Sequence, residues 1–314
     1  MKRRRILVGI LFTVVALMAF ASGAAVVVAN RGARRPGAAV AAAAAPAQTL
    51  SITCRSPSLG GSLPARVYLP PGYSRRAGRY PVVYFLHGLP ANPTSYEYNP
   101  FVAGALASAR RRAIVVTPQG ARTDNGDREY LDWSPQENWP WAIAHDLPSC
   151  IDHRFHTIEN RYGRALIGLS AGGYGAFNVG LRNLQTFAAV ESWSGYFVAT
   201  DPEGAHVLDL GSTEANDAAM VPSGDKLIRA LATWPTMIGF YVGRQDTRFL
   251  AMNQQFDAGL TRSGITHMFQ VYAGGHAQAL WGAQAPHWLG SALAYMSRGK
   301  RTQGRSGGGG VGVG

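Results

Sequence analysis

The chain has 314 residues, 46% of them hydrophobic, two cysteines and a formal net charge of +12. Residues 1–49 hold seven Lys/Arg and no acid and residues 298–314 hold four and none, which leaves +1 on residues 50–297. A nearly neutral middle removes the main support for a nucleic-acid partner, and its length suits a single domain with a sizeable core.

In chain order, Lys2–Arg5 are positive, Ile6–Met18 are almost wholly apolar, and Ala19-Phe20-Ala21 is a small-x-small cleavage pattern. This predicts a secretory signal peptide over residues 1–28. The apolar character continues to Val28, however, long enough to span a bilayer of roughly 30 Å, so an uncleaved membrane anchor is a second reading. Both readings export the domain to the extracellular side or the cell envelope, because the positive end stays inside. Only the second brings membrane contact through this segment. Residues 29–49 are Ala/Pro-rich and predict a flexible linker; residues 298–314 predict a disordered Gly-rich tail.

Ser51–Cys54 and Arg66–Leu69 predict an antiparallel pair split by Gly60-Gly61. Tyr80–Leu86 and Ala113–Thr117 are continuous apolar runs, the pattern of central strands covered on both faces. A helix over Asn99–Arg111 would connect them. Helix Ala142–His153, strand Ala165–Gly168, helix Ala171–Leu184 and strand Phe187–Ser192 follow. Strand Met237–Val242, helix Arg248–Ser263, strand His267–Tyr272 and helix Gln278–Met296 complete the alternation, and the stretch before Met237 has no assigned structure. Such alternation predicts an α/β fold with a mostly parallel central sheet and helices on both faces.

Gly168-Leu-Ser170-Ala-Gly172 sits where a strand breaks into a helix, the context of a nucleophile elbow. Ligands on such sheets bind beyond the carboxyl ends of the strands. Asp246 and His276 both follow strands at that end, whereas His267 opens its strand and His287 lies within the last helix. The order Ser170, Asp246, His276 fits a serine nucleophile, an orienting acid and a general base. Asp201, Asp217 and Asp225 are weaker acid candidates. The amides of Leu89 and Ala171 are the expected oxyanion donors, with His87 a structural member of the Leu89 loop.

Leu86-His-Gly-Leu89, Asp146-Leu-Pro148 with Ile151-Asp152, Gly168–Gly175, Phe187–Gly195, Gly243-x-x-Asp246, Asn253-x-x-Phe256 and Gly274-Gly-His276 with Trp281 can be read together. Over residues 50–297 they resemble the esterase D family of α/β-hydrolases, which includes S-formylglutathione hydrolases, feruloyl and enterochelin esterases and the antigen 85 mycolyltransferases. The resemblance implies an α/β-hydrolase domain, Ser170, Asp246 and His276 as triad, and Leu89 and Ala171 at the oxyanion. The antigen 85 loop carries an acidic residue before its Gly-Leu and an arginine after it, where this chain has His87 and Pro90. Ala171 stands where the family often has methionine.

The expected activity is an exported serine esterase acting on a small-molecule or envelope ester. An acyltransferase of the mycolyltransferase type acting on envelope sugars, and an inactive envelope-binding domain, are the alternatives. No cofactor is implied. His153 and His156 stand three apart without a nearby Cys or second acid, so no metal site is expected. Cys54 and Cys150 could pair in an oxidising compartment. Trp133, Trp139 and Trp141 could line an acyl pocket or form core. Acyl specificity and oligomeric state are not legible.

Overall fold

Gln48–Ser56 (β1) and Gly61–Leu69 (β2) form an antiparallel pair joined by a tight turn in which Gly60 takes φ 62°. They belong to a computed structural model that describes residues 48–97, 99–108, 112–123, 129–200 and 206–306. The expected signal peptide or anchor, most of the linker, and Asp201 lie outside the described residues. Among the described residues no helix is long and apolar enough to cross a membrane.

Val82–Leu86 (β3), Ile114–Pro118 (β4), Arg164–Leu169 (β5), Ala189–Trp193 (β6), Met237–Gly243 (β7) and Met268–Tyr272 (β8) complete an eight-stranded sheet of order β1-β2-β4-β3-β5-β6-β7-β8. β2 joins β4 antiparallel, and every pairing from β4 to β8 is parallel. Alternate residues of each strand point to opposite faces. Val82, Tyr84 and Leu86 enter one apolar core, while Val83 and Phe85 enter the other. That is why β3 reads as an unbroken apolar run.

Helices Pro100–Ser108 (α1), Trp139–Trp141 (α2), Leu147–Arg154 (α3), Ala171–Gly180 (α4), Thr213–Ala219 (α5), Asp225–Thr233 (α6), Leu250–Arg262 (α7) and Gln278–Ser306 (α8) lie between or after the strands. α1 and α8 bury Val102, Trp288 and Leu293 against one face; α3, α4 and α7 bury Ile151, Phe177 and Leu260 against the other. Each such side chain contributes about 1.5–3 kcal/mol relative to leaving it in water.

Cys54 of β1 and Cys150 of α3 are joined by a disulfide with Cα atoms 5.8 Å apart. The bond closes a 96-residue separation and ties the outermost strand to a helix. In chain-entropy terms such a closure contributes about 4–5 kcal/mol.

Four expectations need correction. β1 begins at Gln48, inside the expected linker. α8 continues to Ser306, so residues 298–306 are helical and not a disordered tail. No proline interrupts that stretch, and a Cβ on Gly299 would lie 2.1 Å from the Tyr162 ring, so glycine lets the ring reach the helix backbone. The expected helix 142–153 is divided: Ala142–Asp146 is a π turn and α3 restarts at Leu147. Pro148 has no amide to donate four residues back, which breaks the ladder there. The unassigned stretch before Met237 contains α5 and α6, and Ser212 caps α5 by accepting from the Ala215 amide at 3.1 Å.

Candidate active site

Ser170 alone joins β5 to α4, with φ 54° and ψ −124°. A non-glycine residue held there stores about 1–3 kcal/mol, which the surrounding structure must over-determine. Close backbone contacts do so. A Cβ on Gly168 would lie 2.0 Å from the Gly172 carbonyl oxygen, and one on Gly172 would lie 2.2 Å from that of Leu86. The two glycines let strand, helix and the end of β3 converge. The Ser170 amide donates to the Trp193 carbonyl at 2.9 Å, and the Ser170 carbonyl accepts from the amides of Gly173 and Tyr174. The hydroxyl is left facing away from the sheet.

Asp246 follows β7 and His276 follows β8, at the same end of the sheet as Ser170. The two loops are fastened to each other. Arg244 N–H donates to the Tyr272 carbonyl at 2.7 Å, Gln245 N–H to that of Gly274 at 3.0 Å, and Gly274 N–H to Gln245 Oε1 at 2.6 Å. A Cβ on Gly243 would lie 2.3 Å from the Gly274 oxygen, so the approach requires glycine. This places His276 Nδ1–H 2.7 Å from Asp246 Oδ2, and Ser170 Oγ–H 2.9 Å from His276 Nε2. Asp246 is 2% exposed, so its negative end faces the imidazole and not water.

Aromatic rings hold the imidazole on two sides. Trp281 stands edge-on to it at 5.0 Å and Phe249 at 5.4 Å between centroids. Trp281 Nε1–H donates to Ser194 Oγ at 3.0 Å, and Ser194 itself has φ 49°. Sequence reasoning singled out neither Phe249, Ser194 nor Gln245. A non-glycine residue at positive φ leaves no compositional mark, and a loop glutamine is unremarkable until its partner loop is seen.

Ala171 directly follows Ser170, and Gly88, beside Leu89, lies so near that a Cβ on it would be 2.8 Å from Ser170 Cβ; among the described residues neither the Leu89 nor the Ala171 amide donates to a loop or turn carbonyl. Ala171 opens α4, where the first amides have no partner within the helix. His87 is 4% exposed and its Nδ1–H donates to the Gly88 carbonyl at 2.9 Å. Burial lowers its pKa to about 4, so it is a neutral structural ring. Beside Leu89 lies a cavity of about 290 Å³ bordered by Asn92, Ser95, Asn99, Phe101 and Trp281.

The other candidates are not brought here. Asp217 lies in α5 and Asp225 opens α6. His267 pairs with Asp257 at 2.8 Å, and His287 is in α8. Trp139 is fully buried core, whereas Trp133 and Trp141 are exposed. His156 Nδ1 meets the Gly78 carbonyl, and among the described residues no His, Cys, Asp and Glu side chains cluster as metal ligands.

The Esterase family model matches residues 56–290. Esterase Rv1288 of Mycobacterium tuberculosis is 26% identical over 247 residues, covering 70% of this chain and 53% of that protein. S-formylglutathione hydrolase of Arabidopsis thaliana is 25% identical over 158 residues, covering 44% and 54%. The chain thus spans about half the length of the curated relatives it matches. Among solved structures, a ferulic acid esterase superposes with TM-score 0.64 at 22% identity, covering 79% of this chain and 98% of its own. An S-formylglutathione hydrolase from Agrobacterium tumefaciens gives 0.62 at 18%, covering 80% and 96%. At these identities the superpositions speak for the α/β-hydrolase fold.

Proposed function

The chain belongs to the Esterase family, and on that premise we propose that it is an exported serine esterase that hydrolyses carboxylic esters through an acyl-enzyme on Ser170. The observation that carries the reading is the single imidazole of His276 bonded at once to Ser170 Oγ and to buried Asp246. With Nδ1–H donated to the carboxylate, Nε2 keeps the lone pair that can take the serine proton. Ser170 Oγ then attacks the ester carbonyl carbon while its proton moves to Nε2. Negative charge develops on the carbonyl oxygen, and the Leu89 and Ala171 amides stabilise it. As the intermediate collapses, the C–O bond to the alcohol breaks and His276 returns the proton to the leaving oxygen. Water repeats the sequence on the acyl-enzyme and releases the acid.

Water is favoured over a sugar as acceptor because the Leu86–Asn92 loop presents buried, neutral His87 and apolar Pro90 beside the oxyanion position. A dedicated acceptor site would need groups that orient a sugar hydroxyl ahead of bulk water, and His87 and Pro90 stand where the antigen 85 loop carries an acidic residue and an arginine. Export is supported by the Cys54–Cys150 disulfide, which suits an oxidising compartment.

A fluorophosphonate should add one adduct, on the peptide carrying Ser170, and abolish turnover of a short p-nitrophenyl ester. Ser170→Ala should lose the adduct and on the order of 10⁴-fold or more in turnover with unchanged circular dichroism. Adduct formation elsewhere, or near-parental turnover in the variant, would remove Ser170 from the mechanism. Predominant sugar ester at millimolar trehalose would convert the reading to a transferase.

A further inference from the structure

The end of the sheet opposite the candidate site has features that the esterase reading does not use. A groove of about 520 Å³ runs between α6 and the beginnings of β7 and β8. Its walls are apolar: Ile228, Leu231, Pro235, Ile265 and Met268, with Tyr295 from α8. Ile228, Met268 and neighbouring Trp234 are exposed, so the groove continues into an open apolar patch at its rim. An apolar patch rimmed by polar residues marks an interaction surface.

The rim is cationic. Lys226 and Arg229 project from α6, Arg262 ends α7, and Arg298 lies just past Tyr295. All four are exposed, and among the described residues none has a carboxylate partner. On the elements that form the groove, Asp257 is paired with His267 and Asp225 stands open at the start of α6. On α6 itself Leu227 points into the core, Ile228 and Leu231 line the groove, and Lys226 and Arg229 are turned outward.

The chain also enters the domain at this end. Gln48 pairs with Leu69 and Tyr68 with Val115, near the start of β4, so β1 begins on the same side of the sheet as Ile114, Ala189 and Met237. Forty-seven residues precede it, including the apolar run Ile6–Val28 and a spacer from 29 to 47. Fully extended, that spacer reaches about 60 Å, against about 34 Å across eight strands. A lipid-held N-terminus would therefore leave enough chain for this end to lie on the bilayer.

We propose that the groove and its cationic rim form a docking surface for an anionic lipid bilayer, with the apolar patch entering the headgroup region and the active site facing away from it. The proposal concerns a different end of the molecule from the catalytic residues and stands whether or not the ester reading does.

The test uses the full chain with one introduced cysteine, since both native cysteines are in the disulfide. An environment-sensitive fluorophore is placed at Ala232→Cys beside the groove. In a second protein it is placed at Gln136→Cys, which lies near the Gly60 turn at the other end. Phosphatidylcholine vesicles with and without phosphatidylglycerol carry a lipid-borne quencher. The expected result is a blue shift and strong quenching at 232 on phosphatidylglycerol vesicles, weak quenching on phosphatidylcholine alone, and none at 136. Lys226→Glu with Arg229→Glu should weaken binding through this face on the order of 30-fold or more, at about 1 kcal/mol for each cation lost, and leave ester turnover unchanged. Equal quenching at both positions would overturn the proposal, as would quenching at 232 that ignores both lipid charge and the reversals. A blue shift that grows with protein concentration without vesicles would show a second copy in the groove, and would overturn it too.

Discussion

Ser170 and the Asp246–His276 pair meet at one point, yet they are positioned by different means. The serine is held by collision: missing Cβ atoms at Gly168 and Gly172 let three backbone segments converge to within about 2 Å of where a side chain would be. The pair is held chiefly by polar fastening between two loops, through Gln245, Gly274, Arg244 and Tyr272, with one close glycine approach at Gly243. Steric exclusion tolerates no substitution, whereas a set of individual hydrogen bonds of about 1 kcal/mol each degrades step by step. The elbow should therefore fail abruptly, and the loop pair gradually at every fastening bond, Gly243 excepted.

The largest effect expected inside the fastened half is chemical. Asp246→Asn keeps the loop but favours the wrong imidazole tautomer, and should lower ester turnover by on the order of 10³ to 10⁴ with little change in KM. Asp217→Asn and Asp225→Asn should leave turnover within a few fold; a crippling loss in either would reassign the acid. The abrupt half is tested by Gly172→Ala, whose methyl group would meet the Leu86 carbonyl. The expected outcome is a loss of several kcal/mol in denaturant unfolding, or no folded protein, since backbone cannot yield as a side-chain tip can. A folded, active variant would show that the elbow is not sterically locked.

Gln245→Ala removes one fastening bond, and we expect about a tenfold loss of turnover with about 1 kcal/mol of stability. Loss comparable to Asp246→Asn would mean that the loops are as brittle as the elbow.

The smallest effect concerns Glu191, on the strand between the two halves. It is fully buried, its Oε2 accepts from Trp193 Nε1 at 3.0 Å, and among the described residues its Oε1 has no hydrogen-bond partner. Desolvation raises its pKa well above the ordinary carboxylate value. The folded state therefore binds a proton that the unfolded chain has released, so this group's contribution is present below the ordinary carboxylate pKa. It is lost as pH climbs from there through the raised folded value. Glu191→Gln should raise Tm at neutral pH and flatten its pH dependence from acid to neutral. An unchanged profile would show that Glu191 does not carry it.

The sequence by itself determined the alternation of strands and helices, because runs apolar on both faces such as Val82–Leu86 and Ile114–Val116 have no other place than a covered sheet. It also located the elbow and the strand ends carrying Asp246 and His276, since glycine spacing and the rule for carboxyl ends are local in the chain. Tertiary structure alone decided what depends on partners distant in sequence. Phe249 and Trp281 flank one imidazole and Ser194 holds Trp281, from three separate segments. Trp139 became core while Trp133 and Trp141 stayed exposed, though all three have the same side chain and Trp139 and Trp141 share α2. α5 and α6 are short, and no long periodic pattern announces them; they are stabilised by contacts such as Leu227 entering the core and by the Ser212 cap. α8 outran its apolar stripe because the residues beyond Met296 follow a helix already fixed by Trp288 and Leu293, and extending a formed helix is far easier than nucleating one.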